Sequence, residues 1–438
     1  MPPPGETETE TETAGDDAPD DALATVFREE WPRILGSLLR FTGDLQLAED
    51  CAQEAFARAA AQLRSGAEEL RNPASWITTT AKHLAVDHQR REAGLARKYG
   101  RLAAEAADHA AREAVEAGID PFPTAVDDDR LQLIYMTCHP DLSEEARLCL
   151  ALRAVYGVPT AEIADLLLVK EATMAARLTR AKKRIQAEGI RLESPGPHEI
   201  AERTDDVLAT VYLLYTTGHT APGGDGLTRY DTTTAAVLLA RSIVALVPRH
   251  LEARGLLALL LLTEARAPAR TGEDGSVVTL EHADRSLWDR RLIDEGLDQA
   301  TIALAGRGRL ALQAGISGLH TRASSWAETD WVSIVSLYDA LETAWPSPAV
   351  ALNRIVAISH LPTVGPGRAL DELDRSGLPG AGTGAALERQ VWAVRADLLR
   401  RLGRHDDSAE AYRRALVGER NAPLRRFLER AAEAAVRR

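Results

Sequence analysis

The chain has few cysteines, few aromatic residues and no long apolar runs. Cys51, Cys138 and Cys149 are its three cysteines, an odd and sparse set that gives no disulfide framework and fits a reducing compartment. A cytoplasmic location is therefore expected. No apolar run reaches the roughly 18 residues a membrane helix needs, so no membrane partner is expected. Alternating runs rich in Val and Ile are scarce, which argues against a substantial sheet. The signatures of catalysis are also missing. No HExxH, no Walker A lysine loop and no paired CxxC occurs, and GAGTGAA (380–386) follows no strand, so it reads as a loop. Cys138, His139 and Cys149 lack a fourth ligand at useful spacing, so zinc is not expected. The expectation is a protein that is not an enzyme and needs no metal or cofactor. The N-terminus has no basic residue through Asp21 but eight acidic ones, and it has no apolar core. It does not read as a signal peptide, and residues 1–21 are expected to be a disordered acidic tail.

What is present favours helices. Ala, Leu and Arg dominate the 438 residues, a length that predicts two or more domains. Helical periodicity runs from about residue 22 to 93, punctuated at Gly43–Asp44, at Ser65–Gly66 and at Asn72–Pro73. Residues 94–127 read as a partly helical linker. A second helical unit covers 128–190, and SPGP at 194–197 breaks the chain. From 198 to 438, helix-length apolar segments alternate with Gly/Pro breaks, as in a helical solenoid. LLALLLL (256–262) is too short to span a bilayer and reads as a buried helix.

Charge is distributed unevenly. The formal net charge is −13, yet residues 81–101 hold six Lys/Arg against two acids and residues 170–191 hold seven against two. Such islands are local footprints for a polyanion. In EATMAARLTRAKKRIQ (171–186), Thr173, Arg177, Arg180 and Arg184 share one helical face, with Lys170 three residues earlier. Met174, Leu178, Ala181 and Ile185 share another. PTAEIADLLLVK (159–170) precedes it, with Thr160 as a candidate cap and Ile163, Leu166 and Leu167 as an apolar face. Two short helices joined by a turn through Leu168–Val169 make a helix-turn-helix, whose second helix fits the major groove. Cations at that spacing gain from phosphate neutralisation and counterion release.

At this point the sequence resembles a known family. RLCLALRAVYGVPTAEIADLLLVKEATMAARLTRAKKRI is similar to region 4 of sigma-70 family RNA polymerase sigma factors of the extracytoplasmic-function group. LQLAEDCAQEAFARA (45–59) resembles region 2.2, and NPASWITTTAKHLAVDHQRR (72–91) resembles regions 2.3 and 2.4. Their order, with a linker and no region 3 between them, matches as well. The resemblance implies an all-α fold with a region 2 helical bundle (22–93), a region 4 helix-turn-helix (128–190) and a C-terminal α-helical domain. It implies a factor that binds core RNA polymerase, through the β′ clamp and β flap, and directs initiation at promoter DNA.

Asp50, Gln53 and Glu54 share one helix face, and the resemblance assigns that face to the β′ clamp. Lys82, His83, Asp87, Gln89, Arg90 and Arg91 would read the minus-ten element. The loop from Arg64 to Asn72 would capture an unstacked base, at a cost of a few kcal/mol. Trp76, Ile77, Leu84 and Val86 are expected to pack in the core. In region 4, Lys170, Thr173, Arg177 and Arg180 are the groove candidates, and Lys182, Lys183 and Arg184 the phosphate candidates. Leu168 stands where many such turns carry Gly, which implies a negative φ or an extra core contact.

The C-terminal half resembles a subgroup of these factors with a long TPR-like extension. In WAVRADLLRRLGRHDDSAEAYRRAL, the residues Trp392, Ala396, Leu399, Gly403, Tyr412 and Ala415 fit the tetratricopeptide pattern, with Ser408 in place of Ala. EHADRSLWDRRLIDEG (281–296), TDWVSIVSLYDAL (329–341) and PSPAVALNRIVAIS (346–359) match recurrent segments. YTTGHT (215–220) and Ala283 depart from the subgroup pattern. Asp284, Arg285, Trp288 and Asp289 form a polar-aromatic cluster that suits either a binding site or an inter-helix network. The resemblance implies that the extension regulates activity in cis by intramolecular contact with the sigma regions or the linker. The rival reading is a helix-turn-helix regulator with a TPR sensor that is not a polymerase subunit, but it leaves 45–59 and the basic helix at 81–101 unexplained.

Overall fold

The computed structural model of the chain describes residues 18–65, 72–96, 126, 128–167, 169–219, 230–378 and 385–437. The acidic residues 1–17, residues 66–71 of the Arg64–Asn72 loop expected to capture a base, most of the linker (97–125 and 127), Leu168 and the glycine-rich 379–384 lie outside the described residues. The all-α expectation holds. Among the described residues there is no strand, only a single bridge between Thr271 and Val277. No described helix is long and apolar enough to cross a membrane.

The chain divides into two compact units. One takes the chain up to Thr137 together with Ala154–Gly157 and Arg180–Pro195; the other takes Cys138–Arg153, Val158–Thr179 and everything from Gly196.

In the first unit, α1 (Ala18–Thr42), α2 (Leu45–Ser65) and α3 (Pro73–Ala96) pack on one another, and α4 (Asp129–Thr137) packs on α1. Helix α1 starts inside the acidic segment expected to be unstructured. Pro19 suits a first helical turn, and Asp20 and Asp21 suit its positive dipole end. The predicted corner at Gly43 forms because Gly43 adopts φ +65° and its N–H donates to Leu39 O. The Asp44 carboxylate then accepts from the N–H groups of Gln46 and Leu47 (2.8 and 3.1 Å), capping α2. Helix α1 packs on α2 and α3, and Leu35, Leu38 and Leu39 of α1, Ala48, Ala52 and Ala55 of α2 and Ile77, Ala81 and Ala85 of α3 are all fully buried. Small side chains on α2 and α3 allow close approach, and each large one on α1 contributes about 1.5–3 kcal/mol by burial. Trp31 is buried with its indole N–H donating to Ala154 O at 2.9 Å.

Next come α5 (Glu144–Tyr156), α6 (Thr160–Leu166) and α7 (Glu171–Glu188). Thr160 is the first helical residue and not the cap. The first backbone bond runs from Ile163 N–H to Pro159 O, which puts Pro159 at the cap position.

In the second unit the helices are α8 (Pro197–His219), α9 (Tyr230–Leu246), α10 (Leu251–Glu264), α11 (Arg290–Ala303), α12 (Arg309–Arg322), α13 (Trp331–Ala344), α14 (Pro348–Ile358), α15 (Gly365–Arg375), α16 (Ala385–Arg401), α17 (His405–Leu416) and α18 (Ala422–Val436). Each packs on the next, the solenoid pattern expected from the sequence. The LLALLLL run lies in α10, which also packs on α12; its leucines are buried except for the partly buried Leu259. Gly255 permits that crossing, since a Cβ there would lie 2.6 Å from Ala311 N. Glu252 of α10 caps α12 by accepting from Leu310 and Ala311 N–H. The tetratricopeptide match forms the α16–α17 pair, turned at Gly403 (φ +74°). Ser408 is fully buried there and donates to Ala396 O at 2.8 Å, so the hydroxyl fits the close contact without an unpaired group.

Candidate nucleic-acid interface

Helix α7 sorts its residues as the spacing predicts. Met174, Leu178, Ala181 and Ile185 are buried, and Met174 lies against the Cys149 thiol at 3.2 Å. Lys170, Thr173, Arg180, Lys183 and Arg184 are exposed. Arg177 is partly buried and pairs with Glu145 at 3.3 Å. Arg184 pairs along its own helix with Glu188 at 3.0 Å. Lys182 is engaged differently from its neighbours: its ammonium pairs with the carboxylate of Glu49, whose side chain is 10% exposed. Sequence reading did not single out Glu49, because one acid among several on α2 carries no mark of burial. In α6, Ile163 is buried, and Leu167 just past its end is partly so; the side chain of Leu166 lies outside the described residues.

Helix α3 has a mixed outer face. His83, Asp87, Arg90 and Arg91 are exposed and Lys82 is partly buried, while the side chain of Gln89 lies outside the described residues. Of the four expected core residues, Ile77 and Val86 are buried and Trp76 and Leu84 only partly so. The side chains of α3 thus offer both cations and a half-exposed indole.

Helix α2 buries Ala48, Cys51, Ala52, Ala55 and Phe56 and exposes Asp50, Gln53 and Glu54 together. Gln46 donates to Asp50 at 2.8 Å and Arg58 pairs with Glu54 at 2.9 Å, both one turn away and exposed. Such exposed pairs are worth less than about 1 kcal/mol, so a stronger cation could displace them.

Burial also explains the thiols. It pushes Cys51 and Cys149 up to about 11 and Cys138 up to about 12, far from a reactive thiolate. Cys138 lies against Thr210 of α8. Nearby, Arg147 of α5 donates to Leu142 O (2.8 Å) and Pro140 O (3.0 Å) and pairs with Asp206 of α8. Sequence reading missed this latch, since its partners are 59 residues apart.

In the polar-aromatic cluster, Asp284 accepts from Ser286 N–H and Asp289 from Arg291 N–H, both at 2.9 Å, so these two carboxylates cap turns. Arg285 donates to His320 O and Ala323 O and lies over the Trp288 ring at 4.6 Å.

Comparison with known proteins agrees with this arrangement. The Sigma-70 region 2 family model matches residues 26–95, which hold most of α1 and all of α2 and α3 but for its last residue. The Sigma-70, region 4 model matches residues 132–185. Residues 203–304 match a family of unknown function, DUF6596. The uncharacterized protein R00370 of Rhizobium meliloti (strain 1021) is 37% identical over 395 residues, covering 89% of this chain and 90% of that protein. The probable ECF RNA polymerase sigma factor SigI of Mycobacterium tuberculosis is 25% identical over 42% of this chain and 61% of its own length. The probable RNA polymerase sigma factor RfaY of Xanthomonas campestris pv. campestris is 32% identical over 34% of this chain and 36% of its own length. With both sigma regions in order on helices that bury their apolar faces and expose their polar ones, the chain belongs to the sigma-70 family as an extracytoplasmic-function-type sigma factor with a C-terminal helical extension, directing transcription initiation through core RNA polymerase and promoter DNA.

Proposed function

We propose a division of labour among these faces. The Asp50–Gln53–Glu54 face of α2 docks on the β′ clamp, where partner cations meet fixed carboxylate acceptors. The outer face of α3, with Lys82, His83, Asp87, Gln89, Arg90 and Arg91, reads the minus-ten element and stabilises its melted strand. Helix α7 reads the minus-thirty-five element. Lys170, Thr173, Arg177 and Arg180 are its groove residues, and Lys183 and Arg184 bind phosphates; region 4 as a whole meets the β flap. Lys182 joins the phosphate contacts only if it leaves Glu49. The observation that carries this reading is α7 itself, which buries four apolar residues and leaves a cationic face open.

The extension acts in cis by fixing α5, through the Arg147–Asp206 pair and the buried contact of Cys138 with Thr210. The test is promoter-specific run-off transcription by purified protein with core polymerase. Charge reversal of Asp50 and Glu54 should abolish polymerase association and leave duplex binding unchanged. Duplex binding without any polymerase association by the wild-type chain would instead favour a regulator that is not a polymerase subunit.

A further inference from the structure

A cavity of about 180 Å³ lies at the C-terminal ends of α8 and α10. His219, Arg266, Arg270, Leu280, Ala283 and Trp288 form most of its wall. All lie within the segment that matches the family of unknown function. The volume equals roughly six waters of liquid. Arg270 donates to His219 O at 2.8 Å and lies 2.9 Å from His219 Nδ1, so it closes the end of α8. Arg266 has no such employment. Its guanidinium donates to Ser317 Oγ at 3.2 Å and, among the described residues, pairs with no carboxylate. Burial above all holds it at about 10, with Tyr215 opposing and Arg270 and Arg285 nearby adding to the depression. Trp288 is 3% exposed, and its buried indole N–H has no acceptor among the described residues. Arg285 Nη2 is likewise buried without one.

Buried cations and N–H groups left unpaired are costly, and a fold keeps them where something else pairs with them. A guanidinium fork is matched by a carboxylate or a phosphate. In the remaining wall Thr263 turns its hydroxyl to Leu259 O, and Ala269, Val278, Leu280, Ala283 and the Trp288 ring are apolar. We propose that this cavity is an effector site for a small organic oxyanion, with the charged head on Arg266 and a compact apolar body against Leu280, Ala283 and Trp288. His219 from YTTGHT and Ala283 from the 281–296 segment both contribute to this wall.

Val278 and Leu280 also wall a larger groove of about 580 Å³ that reaches α17 and α18. The segment that carries them is tied to α18 by the Asp274–Arg430 pair (2.6 Å) and by Arg426 donating to Gly275 O (3.0 Å).

The test uses the full-length chain with inorganic phosphate and with isobutyrate, at fixed ionic strength against chloride. Binding is read without polymerase, so it is independent of the transcription reading. The effective anion should raise the Tm by about 1.5–2.5 °C at tenfold its dissociation constant. It should also shift the ¹⁵N-indole resonance of Trp288, assigned by its loss in Trp288→Phe, along a saturable curve. Response to phosphate alone or to isobutyrate alone identifies the head group. Arg266→Met should remove both effects. Ala283→Met, which fills the cavity while keeping the arginines, should do the same and serves if Arg266→Met does not fold. A wild-type chain silent to both anions overturns the proposal, as does a saturable shift that survives either substitution.

Discussion

Lys182 and Arg180 sit two residues apart on α7, yet they predict different phenotypes. Arg180 is exposed, so Arg180→Ala should leave stability within about 0.5 kcal/mol. If it pairs with a guanine, the same change should cost about 1–3 kcal/mol on the cognate promoter and relax specificity at one position. Competition binding against single-base promoter variants measures this, and uniform weakening across all variants would demote Arg180 to a phosphate contact. Lys182 holds the nearly buried Glu49 carboxylate. Lys182→Met strands that charge, so folding stability should drop by about 1.5–3 kcal/mol in urea denaturation. Adding Glu49→Gln should restore most of the loss, because it removes the charge that lost its partner. Additive losses in the double variant would show that the pair is incidental. Arg177 falls between these cases: its partner Glu145 is 61% exposed, so that ion pair contributes less than about 1 kcal/mol and leaves Arg177 able to turn toward DNA.

Among the elements, α5 and α8 make the connection that the sequence left unread. Arg147 holds two carbonyls of its own loop and the Asp206 carboxylate of α8. Asp206→Asn removes the charge from this partly buried bond and should destabilise the second unit by about 1.5–3 kcal/mol. It should also lower promoter-specific transcription, since α5 belongs to the region 4 match. Full transcription by a measurably destabilised Asp206→Asn protein would detach the latch from function. The helices themselves were legible, because periodicity, Gly43, Pro73 and the SPGP break all act locally. So was the apolar face of α7, where residues three and four apart must share a side. Ser408 was legible as well, since a small hydroxyl at a helix crossing can return its proton to a carbonyl. Pairings such as Arg147 with Asp206 or Lys182 with Glu49 were not. Any Arg can meet any acid, and only the fold brings residues 59 or 133 apart together. Nor was the half-exposed state of Trp76 legible, because an amphipathic indole satisfies both core and surface patterns.

At the scale of the whole molecule, the second unit has a property that no single helix announces: it buries histidines uncharged. Burial pulls His219 and His320 down to about 3, helped in both by Arg266 and further by Arg270 for His219 and by Arg285 for His320. His360, stacked on Trp331 at 4.2 Å, is held at about 4 by burial and then by Arg401, with Asp397 opposing. These values lie below the ordinary 6.5, so the unfolded chain binds protons that the folded chain refuses. Stability is therefore fully present above pH 6.5 and is lost as pH falls toward 4 and then 3. The slope reaches about 1.4 kcal/mol per pH unit for each of His219 and His320, and less for His360, which solvent screens. The carboxylates with depressed values, such as Asp274 at about 2, lose their contribution mainly below about pH 5, so pH 6 to 5 belongs to the histidines. His320→Phe isolates one of them. Its ring lies edge-on to Trp331 at 5.4 Å, and its Nδ1 is buried without a partner, so Phe keeps the ring contact. Urea denaturation of the full chain at pH 6.0, 5.5, 5.0 and 4.5 should show the slope of stability against pH smaller in His320→Phe by about 1.4 kcal/mol per pH unit. Parallel slopes in the two proteins would mean that His320 takes up its proton within the fold and that the acid sensitivity of this unit has another source.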